Sequence, residues 1–160
     1  MRFSILFGAL LCIGILPAPR AHAQGEPLSP DDLAYVYKTW PQVKETSTGI
    51  RYFIEKPGHG KPPGPGDLVG VLYTGWLLHG KEFDRETNPK HPFTFRVQRY
   101  AVIKGWDQIV QFMKPGEKRF VIIPSTLAYG TEGRPPLIPP DATLLFEMHL
   151  VSVQREPPAS

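Results

Sequence analysis

The sequence predicts an α+β protein in which five or six antiparallel strands wrap one short α-helix, with a short helical extension ahead of them. Three observations point there. The 15 glycines and 19 prolines, about a fifth of 160 residues, alternate with apolar runs instead of forming one low-complexity tract. Most of those runs have strand length and turn residues at their ends. Within them one segment, with Trp106, Ile109, Val110 and Met113 spaced i, i+3, i+4, i+7, has helical periodicity. A helix set among antiparallel strands is covered most economically by the apolar face of the sheet. The length suits one domain with appendages, large enough to bury a core without staples.

Residues 1–23 read as a cleavable leader. Arg2 supplies the positive region, Phe3 to Leu16 the apolar run, and Ala21-His22-Ala23 the small-x-small cleavage pattern, leaving Gln24 first. That run is shorter than the roughly 20 residues a bilayer span needs, so stable membrane insertion is not expected after cleavage. Cys12, the single cysteine, lies inside the run, followed by Ile13-Gly14-Ile15-Leu16, and does not have lipoprotein placement. The mature chain therefore carries no thiol, which fits an oxidising compartment. The expected destination is export, to the periplasm before the extracellular space or an organelle lumen.

Residues 24–47 form the extension. Ser29 is placed to cap a helix, Pro30 to open it, Asp31 and Asp32 to meet its positive end, and Leu28 to staple against Leu33. Pro41 ends it. A helix this short is marginal alone, so Tyr35, Tyr37 and Trp40 are expected to dock it on the main domain.

Residues 48–154 form that domain, and 155–160 a tail. Ile50 to Ile54 reads as a strand, and Lys56 to Gly66 as a loop. Asp67 to Leu78 reads as a long strand, turning at His79-Gly80 into a return strand from Lys81 to Asp84. Pro92 to Val97 and Lys118 to Ile123 follow. The helix from Trp106 is ended by Lys114-Pro115-Gly116. Thr143 to Val153 is the last strand, offering Leu144, Phe146, His149 or Met148, and Val151 to the core.

Charge narrows the partners. The formal net charge is +3, and loss of Arg2 and Arg20 with the leader leaves 16 basic against 15 acidic residues. No basic stripe remains to follow a phosphate backbone, so no nucleic acid is expected. His59, His79, His91 and His149 have no ligand spacing among themselves or with carboxylates, and neither a metal nor a cofactor is expected.

Five separate motifs occur in order: Tyr73-Thr74-Gly75, Lys81-Glu82-Phe83-Asp84, Val102-Ile103-Lys104-Gly105-Trp106, Leu127-Ala128-Tyr129-Gly130, and the stretch from Ile138-Pro139-Pro140-Asp141 to Phe146. Together they resemble the FKBP-type peptidyl-prolyl isomerases, the macrolide-binding family, from about Gly66 to Val153. The resemblance implies a twisted, half-rolled sheet around a short helix, with an apolar pocket floored by a tryptophan. It implies Tyr73, Phe83, Asp84, Trp106 and Tyr129 as catalytic, and Phe93, Val102, Ile103, Ile138 and Phe146 as substrate-binding. Trp106 would seat a proline ring, while the Ile103 N–H and the Tyr129 hydroxyl would hold peptide carbonyls. Taken singly, Trp106, Val102, Phe93 and Phe146 are plain core residues and Asp84 a solvated turn acid. The joint pattern reverses those odds.

Two positions depart from the family pattern. Pro89 stands where an arginine often pairs with the pocket aspartate, leaving Arg85 or Lys90 as substitutes. Arg134-Pro135-Pro136 stands where a histidine, a proline and a glycine are common. Arg134 is able to attract an acidic neighbour of proline; by itself it reads as a solvated loop charge. The first reading is an isomerase acting on proline-containing exported polypeptides, monomeric, with macrolides as possible inhibitors. A non-catalytic proline-peptide binder and a holding chaperone are the alternatives. The full set Tyr73, Phe83, Asp84, Trp106 and Tyr129 argues against the first, and the lack of a large insertion near the helix against the second.

Overall fold

The chain is described by a computed structural model over residues 28–156. The leader expected at 1–23, the start of the extension and residues 157–160 lie outside the described residues. Among the described residues, no helix is long and apolar enough to cross a membrane.

The elements run α1 (Pro30–Thr39), β1 (Lys44–Glu45), β2 (Arg51–Lys56), β3 (Leu68–Leu77), β4 (Glu82–Glu86), β5 (Phe93–Arg96), α2 (Lys104–Val110), β6 (Lys118–Ile123), a 3-10 turn (Ser125–Leu127) and β7 (Leu144–Gln154). All seven strands join one antiparallel sheet in the order β1-β2-β6-β7-β3-β4, with β5 also pairing β3. The seventh strand, against five or six expected, is β1. Its two residues are too short to carry an alternation, and pairing with Arg51 and Tyr52 alone creates it.

The class is α+β, as expected, and the core shows why. One face of the sheet packs on α2, joining Val69 and Val71 of β3, Val121 and Ile123 of β6, and Leu144, Phe146, Met148 and Leu150 of β7 to Trp106, Ile109 and Val110. Met148 and Leu150 thus take the inward places, and His149 and Val151 do not. The β7 alternation holds from Leu144 to Leu150, and a register shift at Gly70/Val71 then restarts the pattern so that Val153 packs inward. Helix α2 is shorter than its periodicity suggested. It ends at Val110, and Phe112 and Met113 donate to Ile109 and Val110 in a tight turn that still buries Met113 completely.

The other face is covered by α1. Ser29 Oγ accepts from Asp32 N–H at 3.1 Å, and Pro30 opens the helix, as the capping pattern required. Leu28, Leu33, Val36 and Trp40 pack on Leu78, Trp76, Phe120, Ile122 and Leu145. Tyr35 and Tyr37, expected to dock, meet His79 and Arg51 of the main domain but remain 38% and 46% exposed. Val36, on the face between them, is the residue that buries. This second layer explains why β6 buries Val121, Ile122 and Ile123 consecutively, where a one-sided strand would alternate.

Candidate functional site

The pocket is built where β3, β4 and β7 meet the start of α2. Gly75 on β3 lies opposite Asp84 on one side and Phe146 on the other. A Cβ there would stand 2.8 Å from both Phe146 Cε1 and Phe83 Cζ, so glycine is what lets the two rings approach each other. They meet edge to face, with centroids 5.7 Å apart.

Trp106 sits in the first turn of α2, 4% exposed, and forms the floor. Tyr73, Phe93 and Phe146 stand around it with centroids at 4.8, 5.9 and 5.3 Å and planes within ten degrees of perpendicular. Near-perpendicular packing of this kind fixes the indole at the base of the cavity it lines. The indole Nε1 is buried without a hydrogen-bond partner among the described residues. Ile103 precedes the helix with extended backbone angles, and its carbonyl accepts from Trp106 N–H.

The resulting cavity measures about 300 Å³ and is lined by Tyr73, Phe83, Asp84, Phe93, Ala101, Val102, Ile103, Trp106, Tyr129, Arg134 and Phe146. It gathers all the residues nominated from the sequence except Ile138. Ile138 is 1% exposed, belongs to the core, and holds the loop above the cavity instead of lining it. Ala101 and Arg134 are additional lining residues. An alanine carries no chemical signal in a sequence, and a loop arginine reveals its direction only once the loop is folded.

The electrostatics are sparse. Tyr73 donates its hydroxyl proton to Asp84 Oδ2 at 2.9 Å. Burial, and then this bond to a carboxylate, push the Tyr73 hydroxyl well above the ordinary phenol range, so it remains a donor. Neither expected substitute cation reaches Asp84: Arg85 pairs with Glu82 at 3.6 Å, and Lys90 forms no ion pair among the described residues. The aspartate is held by a phenol. Across the cavity Arg134 Nη1 lies 3.5 Å from the Tyr129 hydroxyl.

An antiparallel sheet packed over a short helix, with an aromatic-floored cavity between them, defines an α+β domain with a site beside the helix start. Residues 60–151, more than half the chain, match the model of the family described as FKBP-type peptidyl-prolyl cis-trans isomerase, and the chain belongs to that family. It is 46% identical over 123 residues to FK506-binding protein 4 of Dictyostelium discoideum, covering 76% of this chain and 33% of that protein. The crystal structure of FkpA from Escherichia coli superposes with a TM-score of 0.70 at 38% identity, covering 79% of this chain and 59% of that one. A peptidyl-prolyl cis-trans isomerase from Pseudomonas syringae superposes at 0.69, also at 38% identity, covering 78% and 92%. The chain spans between a third and two-thirds of the length of the first curated relatives it matches.

Proposed function

We propose that this chain is a peptidyl-prolyl cis-trans isomerase that turns Xaa-Pro bonds by stabilising the twisted amide without covalent chemistry. The observation that carries the reading is Trp106 at the base of an aromatic-walled cavity, held by Tyr73, Phe93 and Phe146 around it. A flat, immobile aromatic surface of that kind fits a proline ring.

The reaction needs no acid, base or nucleophile. Rotation about an Xaa-Pro bond meets a barrier of roughly 18–20 kcal/mol because resonance gives it double-bond character. At the twisted geometry that resonance is lost and charge separation along the amide falls. Water stabilises the planar dipole more than the twisted one, so a cavity walled by Phe83, Phe93, Val102 and Phe146 favours the twisted form relative to solvent. Holding the ring on Trp106 confines motion to the reacting torsion. The Ile103 N–H, one of those an α-helix start leaves without an internal partner, and the Tyr129 hydroxyl hold the peptide carbonyls. Asp84 orients Tyr73 and completes the wall beside Phe83.

The leader-like residues 1–23 support export, most simply to the periplasm, and hence substrates among exported polypeptides. The same apolar seat would accept a macrolide inhibitor of the family's type. A protease-coupled assay with a short Leu-Pro peptide tests the activity: the purified protein accelerates the slow phase in proportion to its concentration. Binding of the peptide without acceleration would instead leave a proline-peptide binding module.

A further inference from the structure

Among the described residues, Arg134 is the one cation lining the cavity. Its position is built from the backbone upward. The Arg134 N–H donates to the Ile138 carbonyl at 2.8 Å and the Ile138 N–H donates back at 3.0 Å, closing a small loop whose base, Ile138, is embedded in the core. Gly133 N–H ties the same loop to the Tyr129 carbonyl at 3.1 Å. The guanidinium therefore stands over the cavity on a pinned support, 5.9 Å from the centre of the Tyr129 ring. No carboxylate lies within ion-pair distance of it among the described residues. Asp84, the other charged group of the cavity, is engaged by Tyr73.

We propose that Arg134 selects substrates with an acidic residue immediately before the proline. The inference rests on the isomerase reading and names its substrate class. With proline on Trp106 and the preceding carbonyl at the Tyr129 hydroxyl, the side chain of that preceding residue emerges beside a guanidinium whose one side-chain hydrogen bond among the described residues, a long one of 3.5 Å, goes to the Tyr129 hydroxyl and not to a carboxylate. The planar fork matches a carboxylate with two parallel donors. Because Arg134 is solvent-exposed, the preference is a few-fold and is weakened by salt.

The test is the ratio of kcat/KM for a Glu-Pro peptide to that for its isostere Gln-Pro, measured by NMR exchange within each protein so that general losses of activity cancel. Wild type should show a ratio of about five at low ionic strength, falling toward one at high salt. Arg134→Gln should bring the low-salt ratio to about one, and Arg134→Glu should place it below one. A wild-type ratio of one or less, with Gln-Pro turned over normally, overturns the inference and leaves the isomerase reading standing. The same holds if the preference survives in Arg134→Gln. No acceleration of either peptide, or of a Leu-Pro control, overturns the isomerase reading and this inference with it.

Discussion

The Tyr73 hydroxyl donates to Asp84 Oδ2 at 2.9 Å, so among the described residues the pocket carboxylate is fixed by a neighbouring phenol and not by a cation. This bond joins β3 to β4 at the cavity wall and keeps Tyr73 on edge against Trp106. If Asp84 acts by orienting Tyr73, the two residues work as one unit. Tyr73→Phe and Asp84→Ala should each lower kcat/KM by up to about tenfold, the scale of one lost hydrogen bond, and the double variant should be no worse than the weaker single. Additive losses in the double-mutant cycle would assign Asp84 a separate role.

Trp106 should report ligand directly. Trp40 and Trp76 belong to the cluster beneath α1 on the opposite face of the sheet, whereas Trp106 forms the cavity floor. Adding a proline-containing peptide or a macrolide of the family's type should change the indole emission, and Trp106→Phe should abolish the change. A response that persists in the variant would place the ligand elsewhere.

The helix that carries Trp106 approaches β6 closely. A Cβ at Gly105 would stand 2.5 Å from Ile123 Cγ2, in a core with no room to yield. Gly105→Ala should cost about 1–3 kcal/mol in urea unfolding, and it should lower activity by tilting Trp106. Unchanged stability would mean that the helix start moves freely, contrary to a pre-formed floor.

Acid stability should depend on Asp67. It accepts from the backbone N–H groups of Gly64 and Glu156 and from Arg155, at 2.8, 2.8 and 2.7 Å, and these bonds, the Gly64 one foremost, hold its carboxyl below the ordinary range. A depressed folded-state value means the unfolded chain binds the proton more readily. The stabilisation is therefore complete above the unfolded value of about 3.9, and it is lost as pH falls through the folded one. Asp67→Asn should lower stability by about 2 kcal/mol at neutral pH, with the difference from wild type shrinking below about pH 4. A difference independent of pH would contradict this.

What was legible in the sequence follows the physics of each element. Strand β6 falls on Lys118–Ile123 as expected because Pro115-Gly116 stand before it, Pro124 follows it and Phe120 to Ile123 are continuously apolar. The start of α1 was legible because capping is local: Ser29, Pro30 and the two aspartates act within one turn. Packing was harder to read. Tyr35 and Tyr37 dock only at the margin, on His79 and Arg51, while Val36 is buried completely, because helical phase, not residue size, decides which side chain faces the sheet. The β7 parity depended on a bulge that leaves Val151 unpaired between Leu150, opposite Val71, and Ser152, opposite Gly70, and nothing in the local β7 sequence marks it. At the site, the aromatic floor was legible as a family pattern. Ile138's place behind the wall and Arg134's place above it required the folded loop.

Catalysis of rotation about prolyl bonds is assigned to the cavity over Trp106. NMR exchange on a short Leu-Pro peptide, comparing wild type with Phe83→Ala and Asp84→Ala, tests it most directly. Wild type should accelerate exchange clearly, and both variants should do so less. Binding of the peptide by wild type without faster exchange, or exchange by both variants as fast as by wild type, would rule this catalysis out.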